Sequence, residues 1–161
     1  RENGFSEIDS EEYRTPQISI GTPVLIPENF IPDLTVRLNV YRRIADLVDT
    51  DEIDSYAAEL TDRFGGLPEE VNNLFKVIII KQLCRKAGVE KVDAGPRGAV
   101  VSFRNDDVKN LSGLIELLGR NQMTTQLRTD HKLVHKSNWK KAPERVQGLT
   151  RLMQDLAAIA E

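Results

Sequence analysis

The sequence predicts an α+β fold: a small single domain of several helices packed on antiparallel hairpins, with an extended N-terminal segment. Three observations predict it. Apolar residues recur at helical spacing from residue 34 to residue 83. The period then falls to two on either side of a Gly-Pro-Arg-Gly turn. Helical spacing returns in two later stretches, separated by a second short pair of strand-like segments. Helices and strands are therefore segregated along the chain, the mark of α+β. At 161 residues, with 40% hydrophobic and 29% charged, such a domain buries enough surface to fold without staples.

Residues 1–26 read as a linker. Glu2, Glu7, Asp9, Glu11 and Glu12 crowd its start, and Thr15 to Pro27 alternates apolar and polar residues between prolines. Proline cannot donate to a central ladder, so this part is expected to be extended or an edge strand. The first helix starts near Pro32-Asp33, with Leu34, Leu38, Tyr41, Ala45 and Val48 on its predicted inner face. The second starts near Asp51; Ile53, Tyr56, Ala57, Leu60 and Phe64 make its stripe, and Gly65-Gly66 ends it. Pro68 opens the third, where no backbone donor is lost. Its apolar residues Val71, Leu74, Phe75, Ile78, Ile79 and Leu83 are wider than one face, so it is expected to be covered on two sides, ending at Gly88. Val89–Asp93 and Ala99–Arg104 flank the Gly95–Gly98 turn as a hairpin. A fourth helix over 106–118 is predicted to bury Val108, Leu111, Ile115 and Leu118, capped by Gly119. Thr125–Arg128 and Lys132–Lys136 form a second hairpin around Thr129-Asp130. Pro143 opens the last helix, with Val146, Leu149, Met153, Leu156 and Ile159 or Ala160 inward.

Little in the chain points to catalysis. It contains no G-x-x-x-x-G-K-[ST] and no G-x-G-x-x-G, so no phosphate loop can be drawn. Gly95 and Gly98 are expected in a plain hairpin turn, with no helix N-terminus following to hold an anion. His131 and His135 are read as a solvated pair with no further ligand near them in sequence. Cys84, the single cysteine, precludes an internal disulfide and is expected to be a buried, inert thiol inside the third helix. No catalytic residue, metal ligand or cofactor is expected. The longest apolar run, Val77–Ile80, is far too short to span a membrane. No secretion leader is seen, and a first residue other than Met suggests a fragment or processed chain. A cytoplasmic location follows as the expectation.

Two charged constellations remain. On the second helix, with Ile53 at zero and roughly 100° per residue, the apolar stripe lies within about 60° of zero. Glu52, Ser55, Glu59 and Asp62 fall at about 180–260°, with Arg63 at the edge and Thr61 at about 80°. This is either a solvated helix face or an acidic docking patch for a basic partner. Asp51 and Glu52 favour the helix dipole, but Glu59 and Asp62 lie toward its negative end, where that explanation weakens. The second constellation is basic: Arg128, Lys132, Lys136, Lys140, Lys141 and Arg145 around Trp139. Lysines beside an aromatic can hold nucleic acid by phosphate contact and stacking. Asp130 and Glu144 dilute the charge, and Trp139 can equally pack on the last helix, so direct DNA binding is not the expectation.

The order and wording of several segments add a resemblance. Ile26-Pro27-Glu28-Asn29-Phe30-Ile31-Pro32-Asp33 followed by Arg37-Leu38 and Tyr41-Arg42-Arg43-Ile44-Ala45 resembles the opening of the C-terminal domain of bacterial transcription-repair coupling factors. Glu59-Leu60-Thr61-Asp62-Arg63-Phe64-Gly65-Gly66-Leu67-Pro68 is similar to that family's second signature, and Lys91-Val92-Asp93 with Gly95-Pro96-Arg97-Gly98 continues it in register. The resemblance covers about residues 15 to 158.

It implies a regulatory domain at residues 27–161, following a motor domain, without enzymatic activity of its own. In that family a UvrB-like N-terminal module, an RNA-polymerase-binding module and two ATP-driven motor lobes precede this domain. The resemblance implies an autoinhibitory clamp that docks on the UvrB-like module and masks its surface for UvrA. RNA polymerase and UvrA are then indirect partners, reached through the full-length protein. Carried over position by position, docking falls on Glu59 and Asp62; Arg63 either joins them or pairs with a neighbouring acid.

Overall fold

The structure, a computed structural model, describes residues 15–161. The acidic run from Glu2 to Glu12 lies outside the described residues. By proximity the chain divides into two compact units, Thr22–Gln82 and Leu83–Glu161 together with residues 15–21.

The first unit is helical. Helix α1 spans Leu34–Ala45, α2 Thr50–Phe64, and α3 begins at Glu69 and runs to Ala87. Each start has a physical cause. Asp33 caps α1 by accepting from the Val36 amide at 2.9 Å. Asp49 caps α2 by accepting from Glu52 at 2.8 Å, and the Glu52 carboxylate reaches back to the Val48 amide at 2.8 Å. Gly65, at φ +97°, ends α2 in a conformation that disfavours any side chain. The core joins Ile26 and Ile31 to Val40, Ile44 and Leu47, to Ile53, Tyr56 and Leu60 of α2, and to Val71 and Phe75 of α3. Burying each of these large side chains contributes about 1.5–3 kcal/mol.

The predicted stripe of α2 faces inward, but that of α1 is corrected. Leu34 and Leu38 are 58% and 44% exposed, and Ala45 and Val48 are exposed too, whereas Val40, Ile44 and Leu47 are buried. Residues 34–48 carry two apolar stripes on nearly opposite faces, and periodicity fits both. Contacts distant in sequence decide between them. The Ile26 amide donates to the Tyr41 hydroxyl at 2.7 Å, and Arg37 folds back onto the Ile31 carbonyl at 3.0 Å. The stripe of Val40, Ile44 and Leu47 packs with Ile26 and Ile31 in the core, while Tyr41, from the predicted stripe, stays half-buried. Helix α3 is covered more widely than one face, but not by the residues predicted. Val71 and Phe75 are buried as expected, Leu74, Ile78, Ile79 and Leu83 are half-buried, and Asn73, Val77 and Ile80 are buried in addition.

The second unit holds a five-stranded sheet in the order β1-β2-β3-β5-β4. Its strands are β1 (Gln17–Ser19), β2 (Val89–Gly95), β3 (Gly98–Phe103), β4 (Thr125–Leu127) and β5 (Leu133–Lys136). Both predicted hairpins form, and the β3–β5 pairing joins them into one sheet. The extended segment adds β1 as a parallel edge strand on β2, with Ile18 opposite Val92. Val92, Val101 and Leu133 lie side by side in register on the buried face.

Helices α4 (Leu111–Arg120) and α5 (Ala142–Ala160) complete the unit. In α5, Val146, Leu149, Met153 and Leu156 are buried as predicted. Helix α4 departs from the prediction. It starts five residues later, because Arg104–Asp106 form a 3₁₀ turn with Asn105 and Asp106 at φ +57° and +53°. It also runs through Gly119 and ends on Asn121. Leu114 and Leu117 are its buried residues, while Leu111 and Ile115 are 53% and 59% exposed. Asn110 sets this face: its carboxamide caps Gly113 at 3.0 Å and donates to the Ile159 carbonyl at 2.8 Å. Among the described residues, no helix is long and apolar enough to cross a membrane.

Candidate functional site

The acidic face of α2 is held from behind. Ile53, Tyr56 and Leu60 anchor the helix in the core, so Glu59, Asp62 and Arg63 stand exposed on a fixed backbone. Among the described residues, ion pairs join Arg37 to Glu28, Lys91 to Asp93 and Arg128 to Asp130, and none includes Glu59, Asp62 or Arg63. Thr61, between the two acids, donates its hydroxyl to the Ala57 carbonyl at 2.8 Å and so serves its own helix. The Arg63 guanidinium lies 4.8 Å from the Phe64 ring centroid, and that ring packs on Phe30 at 5.7 Å.

Beside Glu59, the surface sinks into a crevice of about 330 Å³ lined by Arg43, Asp49, Asp51, Glu52, Tyr56 and Glu59. Arg43, from the last turn of α1, places its guanidinium 5.5 Å from the Tyr56 ring centroid. Burial pushes the Tyr56 hydroxyl pKa up, the Glu59 charge raises it further, and Arg63 and Arg43 pull it down. Glu59, Arg63 and Arg43 therefore all lie within electrostatic reach of one phenol. The sequence placed Glu59, Asp62 and Arg63 on one face but carried no sign of Arg43, because a single-helix wheel pairs nothing across two helices.

The basic constellation is dismantled by the fold. Arg128 makes a two-point contact with Asp130, whose pKa falls to about 2 chiefly through that hydrogen bond. Arg145 is buried and bonded to backbone carbonyls. Trp139 is buried against α5: a Cβ on Gly148 would lie 2.5 Å from its indole nitrogen. Lys136, Lys140 and Lys141 remain exposed, with no exposed ring among them.

The two histidines are not a solvated pair. His131 is exposed at φ +67° in the turn, while His135 is half-buried, with its Nδ1 2.8 Å from the Thr125 hydroxyl and its ring 5.3 Å from that of Trp139. The sequence placed both on a polar hairpin, yet His135 alternates onto the helix-facing side of β5. Cys84 is fully buried, and desolvation pushes its thiol up to about 12. No three His, Cys, Asp or Glu side chains gather as they would around a metal ion among the described residues.

Against known proteins, the family model for the TRCF domain matches residues 20–114, more than half of the chain. The chain belongs to the TRCF-domain family. The match takes in all of α1, α2, α3 and the first hairpin, and so the acidic face. A transcription-repair-coupling factor of Rickettsia bellii (strain RML369-C) is 36% identical over 128 residues, 79% of this chain and 11% of that protein. The Escherichia coli (strain K12) transcription-repair-coupling factor is 28% identical over 156 residues, 97% of this chain and 13% of its own. This TRCF domain thus spans about a tenth of the length of such relatives. A crystal structure of the C-terminal domain of a transcription-repair coupling factor shares the fold, with a TM-score of 0.74 at 19% identity over 91% of this chain and 94% of that one.

Proposed function

We propose that this TRCF domain is a non-catalytic autoinhibitory clamp of a transcription-repair coupling translocase. It docks through Glu59 and Asp62 on the UvrB-like N-terminal module of the same polypeptide and masks the surface that recruits UvrA. The observation that carries the reading is the pair itself: two carboxylates one helical turn apart, exposed, outside any ion pair of the described chain, on a helix anchored by its other face. A complementary basic surface can offset the cost of desolvating such groups with charge-assisted hydrogen bonds. Arg63, stacked on Phe64, rims the face. Residues 1–26 lead in from the preceding motor domain.

The clamp is a two-state switch with a modest interface. Breaking one charge-assisted hydrogen bond across it costs about 1–3 kcal/mol, so breaking two shifts the closed population tenfold or more. In the intact protein, Glu59→Lys with Asp62→Lys is expected to raise UvrA affinity about tenfold or more while leaving this domain folded. Unchanged UvrA affinity would refute the reading. A DNA-holding role finds less support, since Trp139 and Arg145 are both buried.

A further inference from the structure

The crevice beside Glu59 already contains a cation. Arg43 is the one basic residue among its lining, facing Asp49, Asp51, Glu52 and Glu59. Two of these acids are engaged with backbone: Asp49 caps α2 and Glu52 holds the Val48 amide. Asp51 and Glu59 are left to face Arg43. Yet Arg43 forms no ion pair with any of them among the described residues; its guanidinium rests over the Tyr56 ring instead. A cation held by a ring face at an exposed site is weakly held. It lowers the crevice's negative potential without closing a salt bridge, so it can swing aside without breaking one.

We propose that Arg43 is a built-in competitor for the acidic face of α2, occupying the crevice until a cation of the docking partner displaces it, and thereby setting how tightly the domain docks. This rests on the docking reading above. The physical consequence is a clamp that is weaker than its carboxylates alone would make it. An incoming cation meets a potential already offset by the positive charge of Arg43 in the lining of the crevice. A clamp that must open on demand is served by such an offset, whereas a permanent interface is not.

Removing Arg43 is expected to tighten binding, the reverse of the usual outcome for a charged residue at an interface. The 161-residue chain would be titrated with the separately expressed UvrB-like module, comparing wild type, Arg43→Gln, Arg43→Lys and Glu59→Lys. Arg43→Gln is expected to bind about three- to tenfold more tightly at low salt and to match wild type at high salt, where exposed charges are screened. Arg43→Lys, which keeps the charge, should stay near wild type, and Glu59→Lys should abolish binding. If Glu59→Lys abolishes binding but Arg43→Gln leaves it unchanged or weaker, the competitor is overturned and the docking face stands. If Glu59→Lys has no effect, the docking reading itself fails. A partner-free measurement guards the placement: the Tyr56 phenol, followed by NMR titration, should titrate higher in Arg43→Gln than in wild type. A phenol that does not move would remove Arg43 from the crevice and overturn the proposal.

Discussion

Arg145, on the last helix, donates to the carbonyl of Ile20 at 2.8 Å, across 125 positions of sequence. The same guanidinium reaches the carbonyls of Gly21 at 3.2 Å and of Trp139 at 3.2 and 3.0 Å. Among the described residues, no carboxylate pairs with it. It is a buried cation held by backbone dipoles, and it fastens the end of the β1 segment and the entry to α5 to one another. Shortening or neutralising it strands those carbonyls. Arg145→Met is therefore expected to destabilise the chain by about 3 kcal/mol, read as a lowered urea midpoint. A loss under about 0.5 kcal/mol, the range of ordinary surface changes, would show that water replaces the guanidinium there.

The same residue shows what sequence reading can and cannot supply. Element order was legible almost throughout, because the switch from helical to strand period and the glycine stops at Gly65 and Gly88 are local signals. Which face of a helix turns inward was legible only where one stripe dominates, as in α2. In α1 and α4 two stripes compete, and the decision rests on partners distant in sequence, such as Ile26 and Ile31 beside Val40 and Ile44, and Ile159 beside Asn110. Arg145 counted as a surface cation for the same reason: its acceptors lie on segments that the sequence does not bring near. The exposed acids Glu59 and Asp62 needed only one helix and were legible.

The reassigned face of α4 gives a paired test. Leu114 is fully buried and Ile115, its neighbour, is mostly exposed. Leu114→Ala is expected to cost about 2–5 kcal/mol, and Ile115→Ala to stay within about 0.5 kcal/mol. Chemical unfolding of both variants checks it, and a reversed order would return α4 to its sequence-predicted orientation.

Cys84 tests the burial of the third helix. Its thiol sits at about 12 because burial disfavours the thiolate, so almost none of the nucleophilic form exists near neutral pH. Alkylation of the native chain at about pH 8 is expected to run at least about 100-fold slower than in urea, followed by mass spectrometry. Comparable rates in both would mean that the helix opens readily.

Gly98 closes the first hairpin under a tighter constraint than any turn preference. Its φ is +128°, and a Cβ there would lie 1.9 Å from the His135 carbonyl oxygen on the adjacent strand. Backbone atoms cannot yield as a flexible side chain would. Gly98→Ala should therefore cost at least about 3 kcal/mol, while Gly119→Ala, in a helix with open space around it, should be neutral or stabilising by up to about 1 kcal/mol. Thermal melts of the two variants separate the cases.

His135 makes stability depend on pH in a defined direction. Burial lowers its pKa, so the folded chain holds its proton less readily than the unfolded chain does. Around the ring are the Thr125 hydroxyl and Trp139, and the crevice they share is also lined by Arg151 and Asp155. The unfolded imidazole titrates near about 6.5. Above that value both states are neutral and the contribution to stability is constant. As pH falls through it, the unfolded state takes up the proton first, so stability declines, until the lowered folded pKa is passed and the loss levels off. Asp130 acts in a separate window: its carboxylate is held at about 2, so its contribution is present above about pH 4 and is lost only below that. Urea midpoints measured between about pH 7.5 and about pH 5.5 should therefore fall for the wild-type chain and fall less for His135→Gln. Equal slopes for the two would mean that the ring is solvated in the native state and that its burial against Trp139 contributes nothing to the titration.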